Sequence, residues 1–520
     1  MKKRIFSLLL AALLVLLCIA VSGCKEPVES QNSSVSSESG AQSGTDESSS
    51  DLAQGRFYGL DIPESLDFGG KTVKVLTTGT AASPTTHQIQ PNNNEQYNAE
   101  NTNAVLSTCE ECTRLVEEEL NVTVEEEMVY TWSRYGGDMY KRIVTDAMSG
   151  TADYIFAMPC SIEASMLSID GLLHDLNTVP NIDLSREWWC HEFNEGVTVD
   201  GSTYFAISDI GTVSKQATLF VAFNKKMADS YKLAEKYGYS SLYAMVDDKA
   251  WTQDVMFEMA KSVYQDVNGN NVRDRGDING LAGQDGAVYN FLTAAGEKII
   301  SIENGYPELT VYNERAINII ENAQEYLQDP QGGFISANDY FNVSQVPVRD
   351  VIVPEFKADR LLFFMDAIMN LELIRDMESD FGVLPTPLYD EHQEGYSSQI
   401  GCWSTNCIVI PNFVQGESLD LAGYFIEALS AVSHKKLNPV YYEQTLQYQI
   451  SRDDDSMRML DIIFDTRTCE LAEIYHLGIY DTVCGMLKKP VGTFASEYDA
   501  IDEITADAIA EIVDSYKNQK

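Results

Sequence analysis

The chain has 520 residues, with 79 Asp and Glu against 36 Lys and Arg and a formal net charge of -43 at pH 7. So few cations exclude the phosphate-binding surfaces of nucleic-acid proteins and any charge-driven docking on anionic lipid. Past about 300 residues one core normally divides, so more than one folded body is expected.

In chain order, Lys2, Lys3 and Arg4 precede an apolar run over residues 5–21 that ends in Val21-Ser22-Gly23-Cys24. A basic start and an apolar stretch of this length make residues 1–23 a secretory signal. The small residues before the cysteine resemble a bacterial lipobox, which implies a lipid on the Cys24 sulfur and a protein held by its membrane anchor at the extracellular face of the cell membrane. An uncleaved membrane helix is the competing reading of the run. Residues 24–60, rich in Ser, Gly, Gln and Glu, lack the apolar surface to fold and are expected to be a tether. With Cys18 lost in the signal and Cys24 taken by lipid, eight of the ten cysteines remain. That number permits disulfides in an exported protein. Cys402 and Cys407 are the better candidate pair, while Cys109 and Cys112 lack the second pair that a zinc site needs.

From Phe68 the pattern alternates. Residues 71–77 read as a strand, 108–120 as a helix, 122–129 as a strand, 140–148 as a helix and 152–158 as an apolar strand. Strands alternating with helices predict a parallel sheet covered on both faces, with ligands outside the carboxyl ends of the strands. Glu117 to Glu119 and Glu125 to Glu127 read as solvated faces. After Trp251, the residues Val255, Met256, Met259, Ala260 and Val263 recur at helical spacing, so that helix lays one face on a core.

The same helix runs into D-V-N-G-N-N-V-R-D-R-G-D. Oxygen side chains of Asp266, Asn268, Asn270, Asp274 and Asp277, with the Val272 carbonyl, have the spacing of a calcium loop. Asn271 stands where a glycine usually turns the chain, and Asp277 replaces a longer glutamate. The loop over residues 266–277 is thus expected to hold a structural Ca2+, or to be an Asn/Asp-rich turn bound to nothing.

The run from Trp251 through I-N-G-L-A-G resembles the middle of bacterial extracellular solute-binding proteins, the sugar-capturing subunits of ABC importers. ADYIFAM followed by Gly171-Leu172-Leu173-His174-Asp175-Leu176, the Trp188-Trp189 run with its glycine hairpin, Phe223-Asn224-Lys225, and the segments 358–370, 381–387, 400–411, 421–432 and 453–464 carry the likeness in order over residues 68–480. The resemblance implies an α/β, two-lobed periplasmic-binding-protein-like fold, hinged, with crossing segments near residues 209–215 and 397–405. It divides the chain into a first lobe of residues 61–212 and 403–450 and a second of 213–402 and 451–520. It further implies a monomeric, lipid-anchored subunit that captures a carbohydrate, an oligosaccharide by preference, and delivers it to an ABC permease without altering it.

A sugar offers apolar faces and a rim of hydroxyls, so its site wants aromatic platforms and hydrogen-bonding side chains. The candidates are Trp132, Tyr135, Trp188, Asp209, Asp366, Trp403 and Asn406, while Trp251 is read as packing. A surface carbohydrate-active enzyme such as a glycoside hydrolase is the rival class. Paired carboxylates arise by chance in so acidic a chain, and it has no G-x-S-x-G, H-E-x-x-H or G-x-x-x-x-G-K motif.

Overall fold

β-Branched residues at alternate positions make Lys71–Gly79 (β1) a strand whose Val73 and Val75 are fully buried. It lies between Val122–Tyr130 (β2) and Phe156–Met158 (β3), parallel to both, in the registers Val75 to Glu126 and Leu76 to Ala157. The intervening helices Ala104–Leu120 (α1) and Asp138–Ser149 (α2) bury one stripe each, Cys112, Leu115 and Val116 on the first and Met139 and Ile143 on the second. The sheet is extended by chain from far downstream. Val409 bridges Ala157 and Ile408 bridges Ala206, both antiparallel.

The second sheet repeats this plan. Its strands are Leu219–Asn224 (β4), Asn279–Gly283 (β5), Phe334–Ser336 (β8), Leu361–Ala367 (β9) and Phe381–Leu384 (β10), in the order β10-β4-β9-β5-β8. Only the pairings of β4 are antiparallel. Among its parallel strands each sheet therefore places the first between the second and third, β1 between β2 and β3 and β5 between β8 and β9, and each also takes one reversed strand that has just crossed from the other sheet. Strands β6 (Ile300–Glu303) and β7 (Tyr306–Leu309) form a separate hairpin.

The chain crosses between the sheets where Thr218 bridges Ile400, and where Ser398–Gln399 (β11) pairs parallel with Arg467–Thr468 (β12). The pass through β12 carried no sequence signal because that strand is two residues long.

Three apolar clusters support the architecture. Val73, Val75 and Phe156 pack with Phe425 and Ile426 of Glu417–Val432 (α7), which returns to the first sheet. Phe220, Phe364 and Phe381 pack with Leu460 and Phe464 on one face of the second sheet. The largest cluster runs from Leu76 and Ala157 through Trp251 and Phe291 to Tyr516, so it touches both sheets. Trp251 is fully buried and donates its indole N–H to Pro385 O at 2.9 Å, as its packing role requires. Gln253–Val263 (α4) starts at Thr252, whose hydroxyl accepts the Val255 N–H, and buries Met256, Met259, Ala260 and Val263. Gly280 of β5 lies so close beneath this helix that a Cβ would stand 2.1 Å from Ala260 O. Helices Ala287–Ala294 (α5) and Glu314–Gln328 (α6) pack on each other, with α6 against β8 and α4 against β5.

The computed structural model describes residues 57–79, 88–90, 104–130, 136–150, 153–449 and 454–520, less the side chains of 372, 444–449 and 454. The signal, Cys24, all but the end of the tether, Trp132 and Tyr135 lie outside them. Among the described residues no helix is long and apolar enough to cross a membrane. The expected Cys402–Cys407 pairing is corrected: the eight described cysteines are free, and both of these are buried. Cys402 instead turns its thiol to Ile400 O, and burial pushes both thiols well above the ordinary range.

Candidate functional site

Strand polarity brings the carboxyl ends of β1, β2 and β3 to one edge of the first sheet and those of β5, β8 and β9 to one edge of the second. At the first edge the organising group is Glu126. Its Oε1 accepts the Thr77 hydroxyl at 2.6 Å and the Gln88 N–H at 2.7 Å, and its Oε2 accepts Ile89 N–H at 2.9 Å and Gln90 N–H at 2.7 Å. This corrects the reading of Glu125 to Glu127 as a solvated face. Strand alternation turns Glu125 out and Glu126 in, while Glu127 pairs with Lys74 and Arg142.

Glu126 thereby ties residues 88–90 to the edge of the sheet. Asn406 Nδ2 donates to Thr78 O at 3.5 Å, and Asn406 bridges Cys160 just beyond β3. Three side-chain atoms on these segments, Thr78 Oγ1, Gln88 Nε2 and Thr405 Oγ1, are buried with no hydrogen-bond partner among the described residues. A buried polar atom without a partner is costly, and such atoms mark places where water or a ligand completes the bonding. None of the three carries charge, and together they can donate and accept.

At the second edge, Asp366 near the end of β9 accepts the Ala367 N–H at 2.8 Å and Gln284 Nε2 at 3.3 Å. Its carboxyl is pushed up to about 6 by burial, against these bonds and one from Asn370. Next to it, Asp285 accepts the Ser336 hydroxyl and the Lys488 ammonium.

Between the edges lies the hinge. Asp209 Oδ1 stands 2.6 Å from Lys215 Nζ and its Oδ2 stands 2.6 Å from His434 Nδ1. Burial works to raise the Asp209 carboxyl, but the Lys215 charge, the His434 bond and the Arg467 field together hold it well below the usual carboxylate range. Burial pulls the Lys215 ammonium the other way, down, more than Asp209 lifts it; at this separation the charged pair is the favoured state. Arg467 of β12 has Nη1 buried without a hydrogen-bond partner among the described residues.

The expected site residues are thus divided. Asn406 belongs to the first edge, Asp366 to the second and Asp209 to the hinge. Trp403 sits in the turn after β11 and is 42% exposed, the one exposed tryptophan among the described residues. Trp188 does not fit the platform role, because it is 3% exposed and donates its indole N–H to Glu427 Oε2 at 2.6 Å. Trp189 and the Asp183 N–H occupy Glu427 Oε1, and burial pushes that carboxyl up to about 7 against these bonds. Sequence reasoning missed Thr78, Gln88, Thr405 and Glu126, whose only signal was polarity next to the end of a strand.

The oxygen-rich loop closes on itself. Asp266 accepts the Gly269 and Asn271 N–H groups, Asp277 accepts those of Val267 and Asp274, and the Asn268 and Asn270 amides donate to Asp274. Asn271 adopts φ +58°, the left-handed turn that a glycine would otherwise supply. The side chains are three carboxylates and two carboxamides, the donor type a hard cation takes. Their oxygens, however, are occupied by the loop's own N–H and amide groups, and among the described residues no group of three or more His, Cys, Asp or Glu is placed to hold a metal ion.

No protein-family profile matches the chain, and no curated protein does. Solved structures do match in fold. The ABC substrate-binding protein Lmo0181 of Listeria monocytogenes, in complex with cycloalternan, is 12% identical with a TM-score of 0.52, over 84% of this chain and 99% of that one. UspC of M. tuberculosis is 13% identical at 0.52, over 84% and 100%. The maltose-binding periplasmic protein MalE of Listeria monocytogenes, in complex with maltose, is 13% identical at 0.51, over 86% and 99%. At such identities the likeness is one of architecture. Together with the crossed strand order it defines this chain as a two-lobed, hinged α/β protein of the solute-binding fold.

Proposed function

We propose that the chain is the substrate-binding subunit of an ABC importer, which captures a carbohydrate between its lobes and hands it unchanged to a permease. The observation that carries this reading is the set of uncharged, buried atoms on Thr78, Gln88 and Thr405, toward the carboxyl edge of the first sheet, that have no hydrogen-bond partner among the described residues. A hydroxyl both donates and accepts, so a polyhydroxylated ligand satisfies all three where an ion would satisfy only some. Trp403 supplies an exposed ring for stacking on a sugar face. The solved proteins that share the fold include some described as bound to cycloalternan and to maltose, which supports an oligosaccharide. Monomeric state, the lipid on Cys24 and the extracellular position belong to the same proposal.

A thermal-shift screen over mono- and oligosaccharides tests it. The melting temperature should rise with one group of sugars, and no new reducing ends should form on incubation. New reducing ends would favour the glycoside hydrolase, and a flat screen would remove carbohydrate capture.

For residues 266–277 we propose a structural calcium ion held by Asp266, Asn268, Asn270, the Val272 carbonyl, Asp274 and Asp277. Its part would be to stiffen the segment joining α4 to β5, away from the cleft. Chelator should lower the melting temperature and calcium should restore it; no response to either would eliminate the ion.

A further inference from the structure

The hinge holds more positive charge than its one shut-in carboxylate neutralises. Asp209 is bonded to Lys215 Nζ and to His434 Nδ1, each at 2.6 Å, and Lys215 is 2% exposed. Arg467 approaches the same group from β12. The short helix His191–Gly196 (α3) links them: Cys469 Sγ donates to Phe193 O at 3.8 Å, and the Cys190 N–H donates to Ile207 O at 2.9 Å. Burial lowers the Lys215 ammonium and the Arg467 charge adds to that, so the guanidinium lies within the field of the pair.

Arg467 Nε donates to Phe464 O at 3.1 Å, while Nη1 is buried with no hydrogen-bond partner among the described residues. The neighbouring carboxylates do not supply one. Glu187 pairs with Lys435, and Glu192, whose charge also reaches Arg467, is exposed to water. His434 can only add positive charge. Two cationic groups out of water therefore share one carboxylate, in a chain whose net charge is -43. A desolvated cation short of acceptors is costly.

This imbalance adjoins the candidate site. Gly211, two residues past Asp209, takes φ +71°, and a Cβ there would stand 3.4 Å from Gln88 Oε1. Gln88 Nε2, like Arg467 Nη1, can only donate. The Thr78 and Thr405 hydroxyls can do either, so the four groups together call for more acceptors than donors. A carboxylate offers acceptors alone, and the guanidinium fork is the side-chain group whose geometry matches it.

We propose that the guest is an acidic carbohydrate, whose carboxylate pairs with Arg467 at the hinge while its hydroxyls meet Gln88, Thr78 and Thr405. This names the substrate class, and it rests on the reading of the chain as a carbohydrate-capturing subunit. A neutral sugar of the same shape leaves the Arg467 cation dry and unpaired, and that penalty is what discriminates against it.

The test is calorimetric titration of the full chain at neutral pH with matched sugars, galactose against galacturonate and glucose against glucuronate, together with the oligomers of each. Acetate and inorganic phosphate serve as anions without a sugar. In at least one pair the acid should bind roughly tenfold or more tighter than its neutral partner. Arg467→Met should erase that difference, and Arg467→Lys should keep part of it. A neutral sugar that binds as well as its acid in every pair would overturn the acidic guest and leave the proposed function standing. Acetate or phosphate binding as tightly as the acids would overturn it as well, and so would an acid preference that survives in Arg467→Met. A chain that binds neither member of any pair would defeat both readings. The comparison within pairs is made on the wild type, so it decides the matter even where Arg467→Met fails to fold.

Discussion

Replacing Lys215 by methionine is expected to cost the fold about 3–5 kcal/mol, the range found when one partner of a buried ion pair is removed. The side chain is 2% exposed and its ammonium lies 2.6 Å from Asp209. Methionine fills similar space but leaves the carboxylate with the His434 imidazole as its remaining direct side-chain partner. The pH dependence checks the cause. A carboxyl whose folded value lies below its unfolded value, near 3.8, contributes stability that is present above 3.8 and is lost as pH falls through the folded value. The gap between variant and wild type in urea unfolding should therefore be full at pH 7 and shrink in acid. A variant within about 0.5 kcal/mol of wild type at pH 7, the usual span of a surface change, would mean that the hinge does not depend on this pair.

The second large effect is expected at Glu126. Alanine there strips the acceptor from one hydroxyl and three backbone N–H groups, and hydrogen bonds to a charged acceptor are worth about 1.5–3 kcal/mol each when both partners stay dry. Water can reach residues 88–90 once they lift away, so a net loss of about 2–4 kcal/mol is expected rather than the sum. The functional consequence is sharper than the loss of stability. Residues 88–90 would lose their tie to β2, and sugar binding, titrated well below the variant's own melting transition, should vanish together with the sugar-induced rise in melting temperature. Glu126→Gln keeps one acceptor oxygen and should retain part of the response. A full ligand response in the alanine variant would take Gln88 out of the site.

Both residues show where reading a sequence ends. Lys215 lay inside an expected crossing and drew no notice, because nothing in spacing says that a lysine will be shut in with an aspartate six positions earlier and a histidine 219 positions later. Glu126 sat in a run of three glutamates, and only strand direction and the return of residues 88–90 turned the middle one inward. Trp188 failed as a platform for the converse reason: a tryptophan beside a glycine hairpin is legible, but Glu427, which takes its indole N–H, lies 239 residues away.

What the chain determined by itself is local. Alternation and β-branching specified β1 and β2, the 3.6-residue period specified α4, and the change of period from element to element specified α/β units, because these depend on neighbours within a turn or two. Only the tertiary structure decided which side chains meet. Crossing strands bring Thr405 and Asn406 beside Thr78, lay β12 against β11 and set the helix Asp502–Asn518 against the helix Ser161–Ile169. The first and last of these contacts join residues more than 300 positions apart and the β11–β12 pairing residues 69 positions apart, and their geometry follows from the packing of two sheets around shared strands, to which no local pattern is sensitive.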